Sequence, residues 1–156
     1  GYGKTYRYWK GPEPLYPFGY GISYTTFKFT QDTSCKTPEY CINIQNTGNY
    51  DGYETIFVFI IPPGSPSIPS SEPASSLLKQ LIDFEKFNIK KGDTVQYTYN
   101  YNQNTTFMLY NSKGEPTVFK GEYKLLFTNG VNQNIQFTFN VDQTRLVPPI
   151  VYESLH

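Results

Sequence analysis

Catalysis needs titratable or nucleophilic side chains at workable spacing, and this sequence offers few. Its 156 residues hold 13 acidic and 13 basic side chains and one histidine, the terminal His156. Asp51, Glu54, Asp83, Glu85, Asp93, Glu115 and Glu122 fall in expected turns and on strand faces. No two of them have surroundings that would push their pKa values apart, as an acid/base pair requires. Without an internal histidine, the usual base for a hydroxyl or thiol nucleophile is missing. A zinc site lacks its imidazoles for the same reason. No catalytic, metal or cofactor site is expected, and no cofactor.

Three other features carry possible chemistry. Cys35 and Cys41 are the two cysteines and flank Lys36-Thr37-Pro38-Glu39-Tyr40, an expected turn between strands. Their thiols could meet across that hairpin, closing a short loop worth roughly 2 kcal/mol by loop entropy; the alternative is two free cysteines on a sheet edge. Asn104-Thr105-Thr106 is a single glycosylation sequon, Asn104 being the acceptor, although such triplets also arise by chance. Tyr97, Tyr99 and Tyr101 recur at alternate positions and could stack on sugar rings, but alternation of this kind more commonly covers a sheet face.

The elements that would position these residues are strands. Tyrosine and phenylalanine number 15 and 12, whereas methionine occurs once. Aromatic and β-branched residues suit a pleated, half-buried surface. Charge is balanced, so there is no electrostatic footprint for nucleic acid or an anionic membrane. No apolar run of about 18 residues exists to span a bilayer.

Period-2 alternation predicts strands over 24–30, 40–45, 54–61, 77–89, 95–101, 107–110, 122–128 and 135–141. In the third, Ile56, Val58 and Ile60 oppose Phe57, Phe59 and Ile61, so the strand is apolar on both faces and must be central or covered by a second body. Ile82 and Phe84 are out of register with Phe87 and Ile89, which predicts a bulge or bend. Residues 62–76 hold five prolines and six serines and are expected to be a mobile surface excursion. Seven or eight strands without a helical pattern predict an all-β antiparallel sandwich of the fibronectin type III or immunoglobulin kind. The expected organisation is an irregular lead-in over 1–23, the sandwich over 24–141 and a terminal extension over 142–156.

The lead-in holds Gly3-Lys4-Thr5-Tyr6-Arg7-Tyr8 and then Pro14-Leu15-Tyr16-Pro17-Phe18-Gly19-Tyr20-Gly21-Ile22-Ser23-Tyr24-Thr25. This strongly resembles the junction of family 3 glycoside hydrolases, the β-glucosidase and β-xylosidase family, where an α/β sandwich domain meets a C-terminal fibronectin type III-like domain. Asn46-Thr47-Gly48 with Asp51-Gly52-Tyr53-Glu54, the 81–93 segment and Gly121-Glu122-Tyr123 are similar to later motifs of that domain. The resemblance covers about residues 3–141. It departs at Ile82-Asp83, where the family has a small residue before phenylalanine, and at Lys91 and Lys120, where it has proline.

The resemblance implies a non-catalytic accessory domain. The family's nucleophile and acid/base carboxylates lie upstream of the Thr5-Tyr6-Arg7-Tyr8 motif, and retaining hydrolysis needs both about 5–5.5 Å apart. Tyr6, Arg7, Tyr8, Trp9, Tyr16, Phe18 and Tyr20 are then expected to contact the catalytic domains of the parent hydrolase, with Arg7 pairing to a carboxylate or carbonyl across the joint. The 62–76 loop could reach toward the substrate cleft and touch an oligosaccharide. An extracellular, lysosomal or vacuolar location follows from the same resemblance and favours the disulfide. The rival readings are a stand-alone carbohydrate-binding sandwich and a protein-interaction module. Trp9, Glu13 and the Ile61-Pro62-Pro63 strand end lean toward xylosidase-like members.

Overall fold

The computed structural model describes residues 7–8, 23–64 and 66–149. Ten strands occur among them: β1 (Phe27–Asp32), β2 (Glu39–Asn46), β3 (Gly52–Ile61), β4 (Gln80–Ile89), β5 (Thr94–Asn100), β6 (Leu109–Tyr110), β7 (Pro116–Val118), β8 (Gly121–Thr128), β9 (Asn134–Val141) and β10 (Arg145–Leu146). Their pairing is antiparallel throughout. One sheet runs β1-β2-β5, a second β4-β3-β8-β9, and a small third β10-β7-β6.

The two larger sheets bury their alternating apolar faces against each other. Ile42 and Ile44 of β2 and Tyr97 of β5 belong to one core cluster with Ile56, Val58 and Ile60 of β3 and Tyr123, Leu125 and Phe127 of β8. The sandwich and its antiparallel pairing are as the alternation predicts. β3 is the central strand, between β4 and β8, and Ile56, Val58 and Ile60 are wholly buried. Its outer face also carries Phe59, only 1% exposed, with the Lys79 ammonium 4.7 Å above its ring. Burial lowers the Lys79 pKa.

The first strand starts three residues later than the alternation suggests, and Tyr24 lies outside it, 86% exposed. The expected bulge lies at Ile82: Val58 pairs with Asp83 and Phe59 with Leu81, so Ile82 is the extra residue. It restores an inward register for Ile82 but turns Phe84 outward, where it is 62% exposed. The strand count exceeds seven or eight because β7 and β10 are too short to show a period. β10 lies in the expected extension and pairs Arg145 with Val118 and Leu146 with Thr117. Short ladders of this kind are fixed by tertiary contacts that no local pattern reports.

The 62–76 loop is a packed element, which corrects the expectation of a surface excursion. Ile68, Ala74 and Leu77 are buried, and residues Pro73–Ser76 form a 3-10 turn. The Glu72 carboxylate accepts the Ser112 N–H at 2.6 Å, tying the loop to the turn between β6 and β7. Pro63 and Ser67 lie over Gly121, whose φ is +136°. A Cβ there would meet the Pro63 ring at 2.6 Å, so glycine serves both the backbone angle and the contact.

Candidate functional site

Of the residues expected at the joint, Tyr6, Trp9, Tyr16, Phe18 and Tyr20 lie outside the described residues. Arg7 and Tyr8 are described, and they rest on the start of β4. The Arg7 carbonyl accepts the Leu78 N–H at 2.7 Å, and its guanidinium donates to Gln80 Oε1 at 2.8 Å. Arg7 Nε is buried without a hydrogen-bond partner. The guanidinium carbon also lies 5.8 Å from the centre of the Tyr8 ring, and Tyr8 is 36% exposed. Within this chain the Arg7 guanidinium is held by a side-chain amide of β4. On the outer face of β4, Phe57 and Phe84 meet across β3 and β4 with ring centres 6.5 Å apart.

Ahead of β1, Asn46 holds the chain at Thr25. Asn46 is 1% exposed, and its Oδ1 accepts from the Thr25 hydroxyl at 2.8 Å and from the Gly48 N–H at 3.0 Å. Its Nδ2 donates to the carbonyls of Tyr50 and Ile89 at 2.8 and 2.9 Å. A Cβ on Gly48 would sit 2.0 Å from Thr25 Oγ1, which explains the glycine in Asn46-Thr47-Gly48. One amide thus locks the entry, the β2–β3 turn and the end of β4. Sequence reasoning found this motif only as a turn, because its partner Thr25 is 21 residues away.

Next to that node is a groove of about 370 Å³, lined by Thr25, Tyr53, Glu54, Lys86, Asn129 and Asn132 among others. Tyr53 is 61% exposed, and the Lys86 ammonium lies 4.8 Å over its ring. Glu54 is half-buried, and burial raises its carboxyl pKa against the hydrogen bonds it accepts. Those come from the Thr55 N–H at 2.9 Å and from Asn129 Nδ2 at 3.2 Å. Asn129 is itself fixed, its Oδ1 accepting the N–H groups of Val131, Asn132 and Gln133 at 3.0 Å each. The sequence placed Glu54 on an ordinary strand face. Its burial comes from the β8–β9 turn, which no local pattern connects to β3.

The tyrosines offered as platforms do not form one. Tyr97 is 2% exposed, and its hydroxyl donates to Asp83 at 2.6 Å, joining β5 to β4. Burial, reinforced by that bond, raises its pKa well beyond the usual phenol range. Tyr99 and Tyr101 are half-buried, and burial raises both of their pKa values. Tyr101 stacks on Phe139 with ring centres 5.1 Å apart. The Tyr123 hydroxyl, buried in the core, accepts the Phe119 N–H at 3.0 Å, and burial pushes its pKa up to about 12.

Cys35 and Cys41 are joined as a disulfide, with Cα atoms 6.0 Å apart. Asn104 is exposed, and Arg145 donates to its Oδ1 at 3.3 Å. The sequon's Thr106 is buried, its hydroxyl shared between Tyr99 and the Asn102 N–H. Among the described residues no group of three or more His, Cys, Asp or Glu could hold a metal ion. No helix among them is long and apolar enough to cross a membrane.

No family model matches the chain. It is 32% identical over 132 aligned positions to "Beta-D-xylosidase 1" of Arabidopsis thaliana, which covers 60% of this chain and 16% of that protein. It is 26% identical over 154 positions to "Probable beta-glucosidase I" of Aspergillus fumigatus, covering 90% of this chain and 18% of that one. Its fold superposes on β-glucosidase 3B of Thermotoga neapolitana with a TM-score of 0.66 and 26% identity, over 88% of this chain and 19% of that structure. The GH3 β-glucosidase of Bifidobacterium adolescentis gives the same TM-score, 0.66, at 20% identity. The chain corresponds to a small part of family 3 β-glucosidases and β-xylosidases. The family 3 segment spans under one fifth of these curated relatives, 16% and 18%. The Asn46 node and the Arg7–Gln80 foothold are what it contributes where its lead-in meets the sandwich.

Proposed function

We propose that the chain is a non-catalytic, fibronectin type III-like accessory domain of a family 3 β-glycosidase, and that it packs against the catalytic domains through its lead-in. The observation that carries this is the share of its relatives that it spans, 16% of a xylosidase and 18% of a glucosidase. The division into β1-β2-β5 and β4-β3-β8-β9 supports the fibronectin-like assignment. So does the Tyr123 hydroxyl bound to a backbone N–H four residues upstream, the arrangement of a tyrosine corner.

The packing surface includes the exposed Phe84 on the outer face of β4. A phenylalanine 62% exposed on a sheet face is the kind of anchor that a neighbouring domain buries. The catalytic domains of the same hydrolase are the partner. The Cys35–Cys41 disulfide and the exposed Asn104 sequon support an extracellular, lysosomal or vacuolar setting. Xylosidase and glucosidase relatives support the parent's reaction class equally.

Assaying the chain alone with nitrophenyl β-xyloside and β-glucoside tests the first half of this reading. No turnover above the solvent rate is expected. Hydrolysis that disappears in an acidic-to-amide variant of this chain would contradict it.

A further inference from the structure

We propose that the groove formed by Tyr53, Glu54, Lys86 and the Asn129–Asn132 turn binds a short neutral β-linked oligosaccharide. This rests on the reading of the chain as part of a β-glycosidase. At about 370 Å³ the groove lies in the range of ligand sites, roughly 300–1,000 Å³.

Its chemistry fits a sugar better than the alternatives. A sugar ring presents an apolar face of C–H bonds and an equatorial edge of hydroxyl groups. Tyr53 supplies an aromatic surface that is 61% exposed, beside a polar wall. Each Glu54 oxygen accepts one bond, from the Thr55 N–H or Asn129 Nδ2, whereas a carboxylate offers about four acceptor sites. The spare capacity suits hydroxyl donors. Lys86 supplies donors at the same rim. One carboxylate and one ammonium balance each other, which disfavours an anionic ligand.

The polar wall is rigid before any ligand arrives. Asn129 is 6% exposed, and its amide oxygen accepts three backbone N–H groups while its nitrogen holds Glu54 and Asn132. Fixing the donors and acceptors in advance lowers the ordering cost of binding. The tyrosines on β5 that the sequence suggested as sugar platforms are packed into the core or its margin, whereas Tyr53 is an exposed ring beside a built groove.

Titrating the isotopically labelled 156-residue chain with xylotriose and with cellotriose, followed by amide NMR, tests the site. Saturable shifts clustered at Tyr53–Thr55, Lys86 and Asn129–Asn132 are expected with at least one sugar. Tyr53→Ala should weaken binding about tenfold, and Glu54→Gln, which keeps only one of the two accepting oxygens, should weaken it as well. Tyr110→Ala, on β6 and outside the groove, should leave binding unchanged. The proposal is overturned if neither sugar gives saturable shifts up to about 10 mM, or if Tyr53→Ala binds as the parent chain does. A negative result here would leave the accessory-domain reading intact, because that is read from packing and from Phe84.

Discussion

At the scale of single residues, two buried polar groups set measurable limits on stability. The Tyr123 hydroxyl is the partner of the Phe119 N–H in the core. Tyr123→Phe keeps the ring and strands that donor, so unfolding free energy should fall by about 1–3 kcal/mol in urea titrations. A loss below the error of the titration would mean that water serves the donor instead. Glu54 works in the opposite sense. Burial raises its folded pKa above the ordinary 4.5, so the folded chain holds this proton where the unfolded chain has released it. Its contribution is full below the unfolded pKa and is lost as pH rises through the folded one. The stability of Glu54→Gln relative to the parent should therefore fall between pH 7 and pH 4, because only the parent carries the half-buried charge at pH 7. Urea midpoints at the two pH values check this, and a difference that does not change with pH would contradict it.

At the scale of elements, the Asn46 amide joins three pieces of chain: the Thr25 entry, the β2–β3 turn and the end of β4. Asn46→Ala leaves a buried and a part-buried backbone carbonyl, a hydroxyl and an N–H without it, and should cost about 3 kcal/mol or more. Thermal melts of the variant measure that cost, and a shift within error would show the node to be redundant. The long strands were legible in the sequence because alternation over eight or ten residues, as in β2 and β3, reports a half-buried sheet. The family resemblance was legible from the Tyr6-Arg7-Tyr8 and Pro17-Phe18-Gly19-Tyr20-Gly21 runs. What escaped was non-local. The 62–76 loop reads as flexible because its composition is proline and serine, yet Ile68 and the Glu72 carboxylate pin it. The groove joins Tyr53 and Glu54 to a turn 75 residues later, and no period records such a pairing.

At the scale of the whole molecule, the chain is a sandwich whose polar chemistry is mostly spent inside it. Tyr97 and Asp83 link the sheets, Asn129 orders a turn, and Arg7 binds its own β4. What faces outward is different in kind: Phe84, paired with Phe57, and Tyr53 with its groove at the start of β3. Packing is tested at Phe84 and sugar binding at Tyr53. The central claim is that the segment stabilises the remainder of a hydrolase without taking part in its chemistry. The direct measurement is the association of the 156-residue chain with the parent hydrolase lacking it, read together with the thermal inactivation of the truncated enzyme. A complex that raises the inactivation temperature toward that of the intact enzyme, and that Phe84→Glu weakens, is the predicted result. No complex, with a truncated enzyme as stable and active as the intact one, would contradict the account.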